Sequence, residues 1–121
     1  MLDEGLYSLD YKLADAETGR DFQGEALVAY RKGRILGSDC RGSVFDGSCA
    51  YDPVVRSSVV KARLQLPPDG ELVTGHRTGP SGVVIEVACA FERPGPFSTS
   101  ILELTGQRVA LKLSYLGPLP P

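Results

Sequence analysis

Apolar and polar residues alternate with a period of two along most of this chain. Tyr7, Leu9, Tyr11 and Leu13 share one face, and Ser8, Asp10 and Lys12 the other. That period marks a strand with one buried face, and it predicts a strand over residues 5–14. Glu17-Thr18-Gly19-Arg20 reads as a turn. Phe22, Gly24, Ala26, Val28 and Tyr30 then lie opposite Gln23, Glu25 and Arg31. Lys32-Gly33 is a two-residue hairpin connection, with Gly33 free to take a positive φ. It leads into a short strand over 34–38. Further strands are predicted over 42–51, 55–66, 71–76, 83–91, 98–104 and 109–115. Between them fall turn signals: Pro67-Pro68-Asp69-Gly70, residues 78–82, Pro94-Gly95-Pro96 and Thr105-Gly106-Gln107. In the first, proline fixes φ and Gly70 supplies the reversal. The nearest approach to a helix, residues 50–58, is interrupted by Pro53.

This pattern of eight or nine short strands predicts an all-β fold. An antiparallel meander of about eight strands removes its edges by closing, so an up-and-down barrel is expected, with a β-sandwich as the alternative. Glycines interrupt the apolar faces at Gly24, Gly37, Gly42 and Gly47. Within strands such glycines mark bends or close backbone approach, and here they are expected to be the bends of one small barrel. At 121 residues the chain is read as a single domain over 1–121. The tail over 118–121, rich in proline, is expected to fray.

Charge and composition narrow the function classes. The net charge is −2, and the densest basic run, Arg31-Lys32-Gly33-Arg34, is broken by a turn glycine. No basic stripe suited to nucleic acid is present, so direct nucleic-acid binding is not expected. No stretch reaches the length of a membrane helix, and the acidic Met1–Gly5 segment lacks the apolar run of a secretion signal. A cytoplasmic protein without a membrane partner is expected. Cys40, Cys49 and Cys89 are odd in number and lack metal-ligand spacing, which predicts buried free thiols and neither a disulfide framework nor a metal site.

Signals for catalysis are sparse. His76 is the single histidine, placed at a strand end or loop. Asp39 and Asp46 flank residues 40–45 and are expected to cap turns rather than to work as an acid–base pair. Gly37-Ser38-Asp39 and Gly79-Pro80-Ser81-Gly82 lack phosphate-loop spacing. No enzyme, cofactor or catalytic residue is predicted. A closed barrel does enclose an interior, and the alternation assigns to it Tyr7, Leu9, Tyr11, Val28, Tyr30, Phe45, Leu64, Val87, Phe91, Leu111 and Leu113. If that interior carries a ligand, a cavity of about 300–1,000 Å³ is the usual range. The buried tyrosine hydroxyls then require partners. The strand over 83–91 is apolar on both sides. Val84, Ala88 and Ala90 on its second face are therefore a candidate dimer face.

The order of several motifs resembles the GrlR-type family of small bacterial negative regulators associated with type III secretion. The residues are Gly5-Leu6-Tyr7-Ser8, Gly24 with Ala26 and Val28, Gly33-Arg34-Ile35-Leu36-Gly37-Ser38-Asp39, Phe45-Asp46-Gly47 and Leu72-Val73-Thr74-Gly75. The match spans about residues 5–90. It implies a lipocalin-like barrel, a homodimer and regulation by holding a transcriptional activator, with Gly24, Gly33, Gly37, Asp39, Phe45, Gly47 and Gly75 as structural motif positions. The family's acidic activator-binding run falls here on Ser48-Cys49-Ala50-Tyr51-Asp52-Pro53, where Asp52 is the sole acid. The leading expectation is thus a regulatory, protein-binding barrel, and the alternative is a carrier of a small hydrophobic ligand.

Overall fold

A computed structural model of the protein describes residues 2–13, 24–39, 41–70, 78–92, 97–104 and 106–120. Eight strands are present: β1 (Gly5–Leu13), β2 (Gly24–Arg31), β3 (Arg34–Asp39), β4 (Val44–Asp52), β5 (Ser57–Leu66), β6 (Val83–Glu92), β7 (Phe97–Leu104) and β8 (Gln107–Gly117). All ladders are antiparallel, and the strand order is β6-β5-β4-β3-β2-β1-β8-β7. Pairing of β1 with β8 curls the sheet round, so that its two edges, β6 and β7, lie side by side. The result is a nearly closed up-and-down barrel, not a sandwich. Among the described residues no ladder joins β6 to β7.

The alternation read from the sequence is what sorts the side chains. On β6, Val83, Ile85, Val87, Cys89 and Phe91 turn inward, and Val84, Glu86, Ala88, Ala90 and Glu92 outward. The buried core is contributed by every strand, with Tyr7, Val28, Ile35, Cys49, Val60, Phe91, Val109 and Leu111 among its members. The segment 50–58, the nearest helical candidate, is instead the end of β4, a tight turn and the start of β5. The strand predicted over 71–76, the expected position of Gly75 and that of His76 lie outside the described residues.

The strand glycines have a steric rather than a flexible role. Tyr11 is the cross-strand partner of Gly24, and Phe45 that of Gly37. Each ring lies where the glycine's β-carbon would be, so an aromatic side chain covers the gap in its neighbouring strand. At Gly47 the obstruction is the β5 backbone at Lys61 and Ala62. Gly42 corrects the expectation of a bend in a strand. It sits in the β3–β4 turn at φ 92°, because β4 begins only at Val44. The β2–β3 hairpin has positive φ at both Lys32 and Gly33, the geometry that matches the twist of a two-residue connection. At residues 67–70 the reversal is supplied by Asp69, at φ 56°, and not by Gly70.

One end of the barrel is plugged by the segment before β1. Leu2 is buried there, and its amide donates to the Ser58 hydroxyl at 3.2 Å. The next residues bridge outward. The Tyr7 hydroxyl donates to the Asp3 carbonyl, and the Lys32 amide to the Glu4 carboxylate. Tyr115 packs edge-on against Tyr7, with ring centroids 5.3 Å apart.

Candidate functional site

The inward faces of the strands line a cavity of about 160 Å³. All eleven residues assigned to the interior line it: Tyr7, Leu9 and Tyr11 from β1, Val28 and Tyr30 from β2, Phe45 from β4, Leu64 from β5, Val87 and Phe91 from β6, and Leu111 and Leu113 from β8. The cavity is smaller than the range expected for a ligand-carrying barrel. The space left between the side chains is close to the ~150 Å³ that holds one benzene in an engineered apolar cavity.

Polar groups meet this cavity at three places. At one end, Asp39 closes the β3–β4 turn as expected. Its Oδ1 accepts the Arg41 and Ser43 amides, both at 2.9 Å, and its Oδ2 accepts the Tyr11 hydroxyl at 3.1 Å. Toward the plugged end, the hydroxyls of Tyr30 and Ser58 lie beside the Cys49 thiol. On the β6 side, the Ser100 hydroxyl lies close enough to the Cys89 thiol to favour its thiolate. Cross-strand pairing explains the thiol placement: Cys49 pairs with Val60, and Val60 with Cys89, so the two cysteines point inward from alternate strands. Both are free.

Burial sets the electrostatics of this interior. It pushes the Cys89 thiol up to about 11, against the opposing pull of the Ser100 hydroxyl. It also pushes Cys49 up, against the pull of the Tyr30 and Ser58 hydroxyls. The Tyr7 hydroxyl is pushed up to about 12, first by burial and then by the charge of Asp3, and Tyr30 is raised, again first by burial. These groups are therefore protonated at neutral pH, and neither thiol is activated for nucleophilic attack there.

The remaining sequence candidates fall elsewhere. Asp46, expected to cap a turn, lies mid-strand on the outer face of β4, where it approaches Arg63 at 3.9 Å. Because Asp39 faces inward and Asp46 outward, the two carboxylates share no site. Val84, Ala88 and Ala90 lie on the outer face of β6 and are exposed, with Val84 at 56%. Among the described residues no three His, Cys, Asp or Glu side chains gather in a metal-ligand group, and no helix is long and apolar enough to cross a membrane. The sequence reading missed Leu2 as the plug and Cys49 and Cys89 as wall residues. The parity of Phe45, Gly47 and Cys49 on β4, and of Val87, Cys89 and Phe91 on β6, was the signal that places both thiols inside. No protein-family model matches this chain, and no curated protein matches it.

Proposed function

We propose that this chain is a non-enzymatic binding protein whose barrel holds one small, uncharged, largely apolar molecule about the size of a substituted benzene. The observation that carries this reading is the cavity of about 160 Å³, walled almost wholly by aliphatic and aromatic side chains. Its few polar groups include two thiols that burial keeps protonated at neutral pH, while Asp39 and Ser43 are tied to the β3–β4 turn at the rim. A charged ligand would gain no partner at the centre and would lose its hydration, whereas an apolar one gains contact on every side. Two free thiols suit the reducing cytoplasm, where we place the protein.

Fluorobenzene is a suitable probe, followed by fluorine NMR and thermal unfolding. Saturable binding is expected, and a ligand at ten times its Kd stabilises by about 1.4 kcal/mol. Absence of saturable binding up to the solubility of the probe would refute the reading.

A second reading is favoured by the outer surface. Val84, Ala88 and Ala90 on β6, with Glu86 between them, and Ile101 on β7 at 48% exposure, are exposed apolar side chains on the strands that flank the seam. A homodimer, or the capture of a transcriptional activator as the motif order suggests, would cover them. Light scattering over a range of concentrations tests the dimer; Val84→Glu is expected to shift any dimer toward monomer, and a monomer throughout would remove that reading.

A further inference from the structure

We infer that small molecules reach the barrel interior by parting β6 from β7, so that the ladder-free seam is a portal held shut by side-chain hydroxyls. This rests on the reading of the interior as a ligand site. Three observations lead to it.

The first is the missing ladder. Each of the other seven strand junctions is closed by backbone pairing over five to ten register positions. Parting any of them breaks a row of backbone hydrogen bonds, while among the described residues parting β6 from β7 breaks none of that kind.

The second is what spans the seam instead. The buried Ser98 hydroxyl on β7 donates to the Glu92 carbonyl on β6 at 2.7 Å. The Ser100 hydroxyl lies beside the Cys89 thiol one step further in. Such side-chain contacts can open and re-form without disturbing either strand's other ladder, since β6 stays paired with β5 and β7 with β8.

The third is position. Val87, Cys89 and Phe91 on one side of the seam, and Leu102 and Leu104 on the other, are themselves cavity wall. A molecule passing between the strands at Cys89 and Ser100 is inside at once. The route through the end that Leu2 plugs would require displacing a buried leucine with its amide bonded to Ser58. Openings of this local kind fall in the microsecond-to-millisecond range, within reach of NMR exchange measurements.

The native thiol makes the test direct. Ser100→Cys places a second thiol opposite Cys89, and oxidation would then bind the two strands covalently. Exchange of fluorobenzene between free and bound states is measured by fluorine NMR in the reduced and oxidised variant, with wild type carried through the same oxidation. Cross-linking is expected to slow exchange at least tenfold, reductant to restore it, and oxidised wild type to keep its rate. Ser98→Ala, which removes one such contact, is expected to speed binding and release several-fold alike, leaving affinity unchanged. An unchanged exchange rate in the cross-linked protein overturns the portal alone, as does failure of the new thiol to pair with Cys89, because the strands then do not meet as described. A Ser98→Ala rate equal to wild type likewise counts against it. Absence of fluorobenzene binding in the reduced variant and wild type overturns the interior-ligand reading, and the portal with it.

Discussion

Gly47→Ala probes how tightly the barrel is bent. Gly47 faces inward on β4, directly across from Ala62 on β5. A β-carbon there would run into the Lys61 carbonyl oxygen and stand 2.6 Å from the Ala62 α-carbon and 2.9 Å from its β-carbon. The nearest two atoms are backbone, so relief requires the strands to move apart; no side chain can swing away. Overpacking of this kind costs about 1–3 kcal/mol. Against it, alanine restricts the unfolded chain, an effect of about 0.4–1 kcal/mol. The difference spans about 0–2.6 kcal/mol, and because the clash falls on backbone the upper half of that range is expected. Urea unfolding followed by circular dichroism is the assay, with Gly79→Ala beside it. Gly79 has no heavy atom near its would-be β-carbon, so only the unfolded-state gain applies, and that variant should equal or exceed wild type. For slopes of about 1–3 kcal/mol per molar urea, the Gly47→Ala midpoint should fall by on the order of 1 M. A midpoint at or above that of wild type, with an unchanged slope, would refute the close approach of β4 and β5.

Asp39→Ala should destabilise by about 1–3 kcal/mol, since two turn amides and the Tyr11 hydroxyl lose a charged acceptor together. Asp39→Asn should recover about half of that, as read by thermal unfolding. Leu2→Ala should cost about 2–3 kcal/mol in the same assay, since it removes a buried plug from the barrel end. Alkaline pH should weaken the fold. Cys89 and Tyr7 hold their protons up to about 11 and about 12 in the folded state, but release them nearer 9 and 10 when unfolded. The unfolded chain therefore binds fewer protons above pH 9, so stability is full below about pH 8 and declines as pH rises through 9–12. Urea titrations between pH 7 and 11 should show this decline, and Cys89→Ala should make it shallower.

The fold was legible because a period of two is a local signal. Each of β1 to β8 could be read from its own residues, and the eleven interior positions followed from parity alone. Three things were not legible, each for a physical reason. The seam depends on which strands fail to pair, and alternation on β6 and β7 looks the same in a bonded ladder as in an open one. The role of Leu2 depends on where the chain before β1 folds back, and one leucine in an acidic stretch carries no period. The size of the cavity depends on how rings such as Tyr11 and Phe45 lie across the glycines of neighbouring strands. That is a matter of rotamers, which pattern does not encode. Asp46 shows the converse limit: its residue type suggested a turn, but its place in the alternation of β4 put it mid-strand on the outer face.

Pairing of β1 with β8 has a consequence for how the protein folds. The other ladders join strands consecutive in sequence and can zip outward from their turns. The β1–β8 ladder must bring together residues as distant as Leu9 and Leu113. Contacts of such separation are slow to form, because the chain loses the entropy of a long loop before any pairing rewards it. Barrel closure is therefore expected late, with refolding in the millisecond-to-second range typical of β proteins. Until closure, β1 and β8 each present a bare hydrogen-bonding edge beside inward-facing Tyr11 and Leu111, an invitation to pair with another chain. Refolding yield should consequently fall as protein concentration rises, even though the finished barrel hides both edges.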